Sequence, residues 1–164
     1  MCIQFYEHLF YEGEWHGLYT TPLEDYFDQH DNRPDLKPCN TALMRNYIAD
    51  WEIVDNKLYL TGIEGYLQET DVVFNVHKPL TLQHIFPEAE ESIWAEWYTG
   101  TLICPKGKRL TLVLIGKPWK EYDLLIEVKN GVVQSSTLRK NPLPPPEPER
   151  NYDIPDFLLP KKAP

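Results

Sequence analysis

The sequence predicts a mainly β fold, a β-rich α+β chain whose antiparallel twisted sheet forms a sandwich or an open barrel with one or two short helices. Three observations predict it. Apolar and polar residues alternate with a period of two from Tyr47 to Val54. Two-residue turn signals, Asp55-Asn56 and Asn130-Gly131, separate runs of this kind. Helical spacing of apolar residues is confined to short stretches near Leu23 and Ile85. At 164 residues, with 42% hydrophobic and 13% aromatic content, the chain can bury one sizeable core.

The elements follow in order. Leu9 to Tyr19 reads as a hairpin, because aromatics and Leu flank the turn residues Glu12, Gly13 and Glu14. Thr21, Pro22, Leu23 and Glu24 form a capping-box pattern, which predicts a short helix from Pro22 to His30. Leu23, Tyr26 and Phe27 would face its core side, leaving Glu24, Asp25 and Asp28 outward. Pro34 and Pro38 make residues 31 to 40 a loop. The strand ending at Val54 pairs through Asp55-Asn56 with a strand from Leu58 to Ile63, since both turn residues tolerate left-handed backbone. Thr81 to Phe86 is a single helical turn ended by Pro87, with Leu82, Ile85 and Phe86 inward. Tyr98 to Cys104 and Leu110 to Ile115 are strands joined by a Pro105-Lys106-Gly107-Lys108 turn, and Tyr122 to Lys129 pairs with Val132-Val133 through Asn130-Gly131. About nine strands result.

Charge is unevenly spread: residues 1 to 100 hold 18 acidic and 5 basic side chains, residues 101 to 164 hold 7 and 11, and the formal net charge is -9. One face of the folded domain is therefore expected to be acidic. That balance argues against nucleic acid, whose binding requires cations to neutralise phosphates. Composition breaks near Asn141, after which eight of the fifteen prolines occur. Residues 1–140 are thus one β-rich domain and residues 141–164 a Pro-rich, extended tail, in which Ile154, Phe157, Leu158 and Leu159 are apolar anchors. No run nears the roughly 18 apolar residues of a spanning helix, and Met1 to Leu9 has no basic segment leading into an apolar one. A cytoplasmic location with no membrane association is the expectation.

Chemical signatures are sparse. Cys2, Cys39 and Cys104 lack metal-knuckle or redox spacing, and Cys104 reads as a small buried hydrophobe. His8, His16, His30, His77 and His84 form no ligand motif, so no metal or cofactor is expected. Ser92, Ser135 and Ser136 lie in no nucleophile motif, and Lys106-Gly107-Lys108 lacks the strand-to-helix context of a phosphate loop. Adjacent carboxylates such as Glu24-Asp25 and Glu90-Glu91 read as solvated charge. The aromatics say more. Trp94, Trp97 and Tyr98 follow the acidic run Glu88, Glu90 and Glu91, and as a strand they would place Trp94, Glu96 and Tyr98 on one face. Large aromatics rimmed by charge are the usual anchors of protein interfaces.

Thr41 to Arg45, Tyr47 to Ile53, Ile85-Phe86-Pro87, Ala95 to Gly100 with Leu102, and Leu125, Ile126, Gly131 and Val132 together carry a resemblance. Over roughly residues 9 to 135 the chain resembles a group of small bacterial β-rich proteins loosely associated with polymorphic-toxin immunity proteins. The resemblance implies no active site and lends no residue a role. Combined with the acidic charge, it leads to a non-enzymatic protein-binding module that occludes a basic toxin domain. The expected contact residues are Asp25, Asp28, Asp31, Glu88, Glu90 and Glu91, with Trp94 as anchor. The alternative is a small-ligand or enzymatic barrel with a cavity lined by Arg45, Tyr47, Trp51, Tyr98 and Trp119. A third reading is an adaptor presenting Pro144 to Pro148 as a recognition ligand.

Overall fold

The computed structural model of the chain describes residues 3–110 and 119–143. It is mainly β, with strands β1 (Glu7–Tyr11), β2 (Glu14–Leu18), β3 (Tyr47–Val54), β4 (Lys57–Thr70), β5 (His77–Pro79), β6 (Ile93–Trp94), β7 (Gly100–Arg109), β8 (Lys120–Lys129) and β9 (Val132–Lys140), and one helix, α1 (Pro22–Gln29). The main sheet runs β2-β1-β3-β4-β9-β8-β7, with β5 and β6 paired to β4. All pairs are antiparallel except β1 with β3, whose register is His8 to Asp50, Leu9 to Trp51 and Phe10 to Glu52. The sheet coils until its two ends meet without closing into a barrel. In place of a ladder, the Tyr19 N–H donates to the Ile103 carbonyl at 2.9 Å and the Thr20 hydroxyl accepts from the Ile103 N–H at 2.8 Å. No helix among the described residues is long and apolar enough to cross a membrane.

The expected turns form because their residues accept left-handed backbone. Glu12 and Gly13 have φ of 52° and 77°, Asp55 and Asn56 of 50° and 61°, and Asn130 and Gly131 of 48° and 74°. The period of two in β3 buries Tyr47, Ala49 and Trp51, with Trp51 opposite the buried Leu60 of β4. The 3₁₀ turn at Leu82–His84 turns Leu82, Ile85 and Phe86 inward, and Cys104 is buried, its thiol pushed up to about 12 by burial. α1 packs its apolar side into the coiled sheet. The Trp97 indole donates to the Pro22 carbonyl at 3.0 Å, and Phe27 meets the Tyr47 ring edge-on at 6.1 Å.

Several expectations are corrected. The Pro105 to Lys108 segment is no turn: β7 continues through it to Arg109, with Cys104 opposite Leu124 and Lys106 opposite Tyr122. Gly107, at φ 82°, takes up the register shift before Arg109, and an edge strand tolerates the missing N–H of Pro105. Residues 111–115 of the expected next strand lie outside the described residues. The strand expected across Trp94 to Tyr98 stops at Trp94; a turn follows, in which the Tyr98 N–H donates to the Ala95 carbonyl at 3.1 Å. β4 and β9 run well beyond Ile63 and Val133, because pairing to neighbours sustains them where their alternation fades. Thr21 makes no cap bond; Glu24 turns instead to Arg33, whose Nη2 donates to its Oε1 at 3.2 Å. Residues 144–164, where nearly all of the Pro-rich tail falls, also lie outside the described residues; the chain before them is held by the Trp119 indole, which donates to the Pro142 carbonyl at 2.8 Å.

Gly131 joins three elements. Its carbonyl accepts from the Leu58 N–H and the Trp94 indole, and its own N–H donates to Tyr98. A Cβ there would lie 2.6 Å from both the Ala95 oxygen and the Trp94 Nε1, whereas one at Gly13 meets nothing within 4 Å. Both have positive φ, so Gly13→Ala is expected to cost about 1 kcal/mol, from backbone strain alone. Gly131→Ala adds the clash and is expected to cost more than about 3 kcal/mol in urea unfolding; equal costs would contradict this account of the junction.

Candidate functional site

The sequence-predicted contact residues divide between α1 and the loop that leads into β6. The second helical position of α1 is the buried Leu23, and one turn on Tyr26 lies between solvent and core. Its ring stacks on His30 at 4.1 Å and packs against Phe86 at 4.7 Å and Trp97 at 5.0 Å, while Phe86 lies parallel to Trp97 at 5.5 Å. Asn32 fixes the outer end by donating to the Tyr26 hydroxyl at 3.0 Å. The acidic loop is held over this cluster: the Gln83 amide donates to the Ala89 carbonyl at 2.8 Å and the Glu90 carbonyl at 3.2 Å, and the Ala89 N–H closes a turn on Phe86 at 3.0 Å.

Between loop and helix lies a groove of about 640 Å³, with Tyr26, Phe86 and Ile93 among its apolar lining and Glu88, Glu90 and Trp94 on it as well. Glu88, Glu90 and Trp94, singled out in the sequence, thus come together on one concavity. Glu91 is exposed on the same loop without lining it. Asp25 and Asp28 are on α1 and Asp31 just beyond its end, none of them among the groove residues. Burial holds the Asp25 carboxyl above the usual range, with Asp28 and Glu24 adding like-charge repulsion. Trp94 is less available than an anchor should be, because its indole N–H is spent on Gly131 and Lys57 lies 4.7 Å over its ring. Sequence reasoning assigned Tyr26 and Phe86 wholly to the core; the Pro87 break beside the acidic run was the available signal that this edge of the core opens outward.

The cavity expected from Arg45, Tyr47, Trp51, Tyr98 and Trp119 does not form. Tyr47, Trp51 and Tyr98 are packed in the core and Trp119 is at the β8 end, so only Arg45 reaches a cleft. What the interior holds instead is charge. Glu7, the first inward-facing residue of β1, is fully buried; its Oε2 accepts the Ala49 N–H at 2.6 Å and Arg45 Nη2 at 3.2 Å. Burial pushes the Glu7 carboxyl up to about 7, against the opposing pull of Arg45 and the Ala49 N–H. Tyr47 beside it is raised out of the physiological range by burial and by Glu7.

A second surface stands out at the tip between β4 and β5. Val72, Val73, Phe74 and Val76 are exposed there. The tip is closed by its own hydrogen bonds: Asp71 Oδ1 accepts the Val73 and Phe74 N–H groups at 2.8 and 3.1 Å, and the Asp71 N–H donates to the Val76 carbonyl at 2.7 Å.

No protein-family model matches the chain, and no curated protein or solved structure matches it.

Glu7 generates a signed pH prediction. Its carboxyl binds a proton more tightly in the fold than in the unfolded chain, so its contribution is present below about 4.5 and is lost as pH rises through about 7. Glu7→Gln should therefore gain stability relative to the parent chain between those pH values, and a difference that is flat with pH would exclude the shift. Glu7→Ala strands the Arg45 charge and should cost about 3 kcal/mol or more in denaturant unfolding.

Proposed function

We propose that this protein is a non-enzymatic binding module whose acidic, aromatic-floored groove receives a basic segment of another protein, and that it serves as an immunity protein by occluding a basic toxin domain. One observation carries the reading: Glu88 and Glu90 share a groove with Tyr26, Phe86 and Trp94. A Lys or Arg stem lies favourably on aromatic rings while its charged head reaches carboxylates at the rim. The chain's net charge of -9 steers such a partner towards it over distances of about a Debye length. The Asp25 carboxyl, raised first by burial and then by Asp28 and Glu24, has like charges beside it on α1 whose repulsion an incoming cation relieves. The exposed apolar tip at Val72 to Phe74 adds a surface suited to protein rather than to small solutes.

The test is parallel capture from the native host's lysate, at low and then moderate salt, with the tagged parent chain and the Glu88→Gln/Glu90→Gln variant. The expected result is a stoichiometric basic protein on the parent chain, released by salt, retained several-fold less by the variant, and toxic on expression unless the parent chain is present. Both carboxylates are exposed, so the variant should melt as the parent does, within about 0.5 kcal/mol. Retention of no basic protein, or equal retention by both chains, overturns the reading. Phe74→Ser, at the exposed tip, should likewise leave stability unchanged within about 0.5 kcal/mol in urea unfolding while weakening capture; unchanged capture would remove the tip from the interface.

A further inference from the structure

Where the ends of the coiled sheet meet, between β2 and β7, a cleft of about 560 Å³ opens. Its apolar lining includes Phe5, Tyr19 and Met44, of which Phe5 and Met44 are 55% and 60% exposed. Two guanidinium groups and the Glu24 carboxylate lie on its lining. Arg45 lines the cleft although only 7% of it is exposed. The protein engages one terminal nitrogen of this guanidinium: Nη2 donates to the Phe5 carbonyl at 2.9 Å and to Glu7 at 3.2 Å, while Nε is buried with no acceptor. A guanidinium carries five N–H groups; with both hydrogens of Nη2 taken and Nε enclosed, the two on Nη1 are the ones left for a molecule in the cleft. Arg33 brings a second guanidinium, anchored on Glu24 and on the Arg45 carbonyl at 3.1 Å. The start of α1 lies at the same cleft through Thr21, whose hydroxyl makes no cap bond, leaving the positive end of the helix without its usual side-chain acceptor.

We propose that this cleft binds a small organic acid, with its carboxylate on Arg45 and its apolar body against Phe5, Tyr19 and Met44. A ligand carboxylate would accept a charge-assisted hydrogen bond from Nη1, in a setting more desolvated than the protein surface. Glu7 and Glu24 offset the two arginines, so a singly charged carboxylate meets less opposition here than a multiply charged phosphate. The volume falls within the range of small-molecule pockets, and the exposed Phe5 and Met44 side chains gain burial when a hydrocarbon covers them.

The experiment titrates the full chain with octanoate and phenylacetate, with octanamide and phenylacetamide as uncharged counterparts and with inorganic phosphate as a bare anion, by calorimetry and by amide NMR. Both acids are expected to saturate one site, to shift the amides around Thr21 and Arg45, and to bind at least about tenfold more tightly than their amides, with phosphate not saturating. Arg45→Met should abolish binding. Because that variant also strands buried Glu7, Met44→Glu provides the second arm: at an exposed position it sets a negative charge at the mouth and should weaken both acids by about tenfold with the melting temperature unchanged. Acids and amides binding alike, phosphate binding as tightly as the acids, no saturation by about 10 mM acid, or acid affinity untouched by Met44→Glu would each overturn the proposal.

Discussion

The Glu7 carboxylate ties together three segments that no continuous ladder connects. β1 and β3 pair in parallel over only three residue positions, and parallel pairs this short hold poorly alone. Glu7 extends the junction by accepting the Ala49 N–H, and it draws in Arg45 from the turn that precedes β3. Arg45 in turn reaches back to the Phe5 carbonyl, so the segment before β1 is held by the same charge. A buried ion pair contributes little net stability over an apolar pair of the same shape, since desolvation offsets most of the attraction. Its effect is on arrangement: with either partner misplaced, the other is left as a buried charge, and alternative registers of β1 are penalised.

The way the sheet coils follows from that junction. With β1 and β2 fixed beside β3 at one end and β7 at the other, the meeting of the ends is left to Tyr19 and Thr20, residues that have already left β2. Two consequences come from an incomplete closure. α1 can lay Leu23 and Phe27 against the inner face, and a cleft remains beside its first turn where a closed barrel would have backbone hydrogen bonds.

Core and surface are continuous on the far side of α1. Tyr26, Phe86 and Trp97 form one cluster of rings that begins against Trp51, centroids 6.4 Å from Trp97, and ends at the groove. The rings at the groove are packed against one another and against the core on their inner side. The acidic loop above them is positioned by the Gln83 side-chain amide, which donates to its backbone carbonyls, and not by its own carboxylates, leaving the Glu88 and Glu90 charges exposed to solvent.

Local chemistry alone determined a good part of this protein. The hairpin at Glu12-Gly13, the turns at Asp55-Asn56 and Asn130-Gly131, the strand at Tyr47, the helix at Pro22 and the inward turn at Leu82 all rest on backbone preference and side-chain period, which act within a few residues. The acidic loop was legible as a surface from its composition, and Glu88, Glu90 and Trp94 do share a groove. Tertiary structure decided what distant pairing controls. Pro105 to Lys108 has the composition of a turn, yet β8 holds it as a bulged strand; Glu24 matches a capping residue, yet Arg33 captures it. In a linear reading Glu7 carries no signal and Arg45 enters only as a lining residue of the alternative barrel cavity, because nothing within several residues of either reveals a partner 38 positions away. Burial of a charge is a property of the whole coiled sheet, and so are the clefts that its open edge and its helix leave behind.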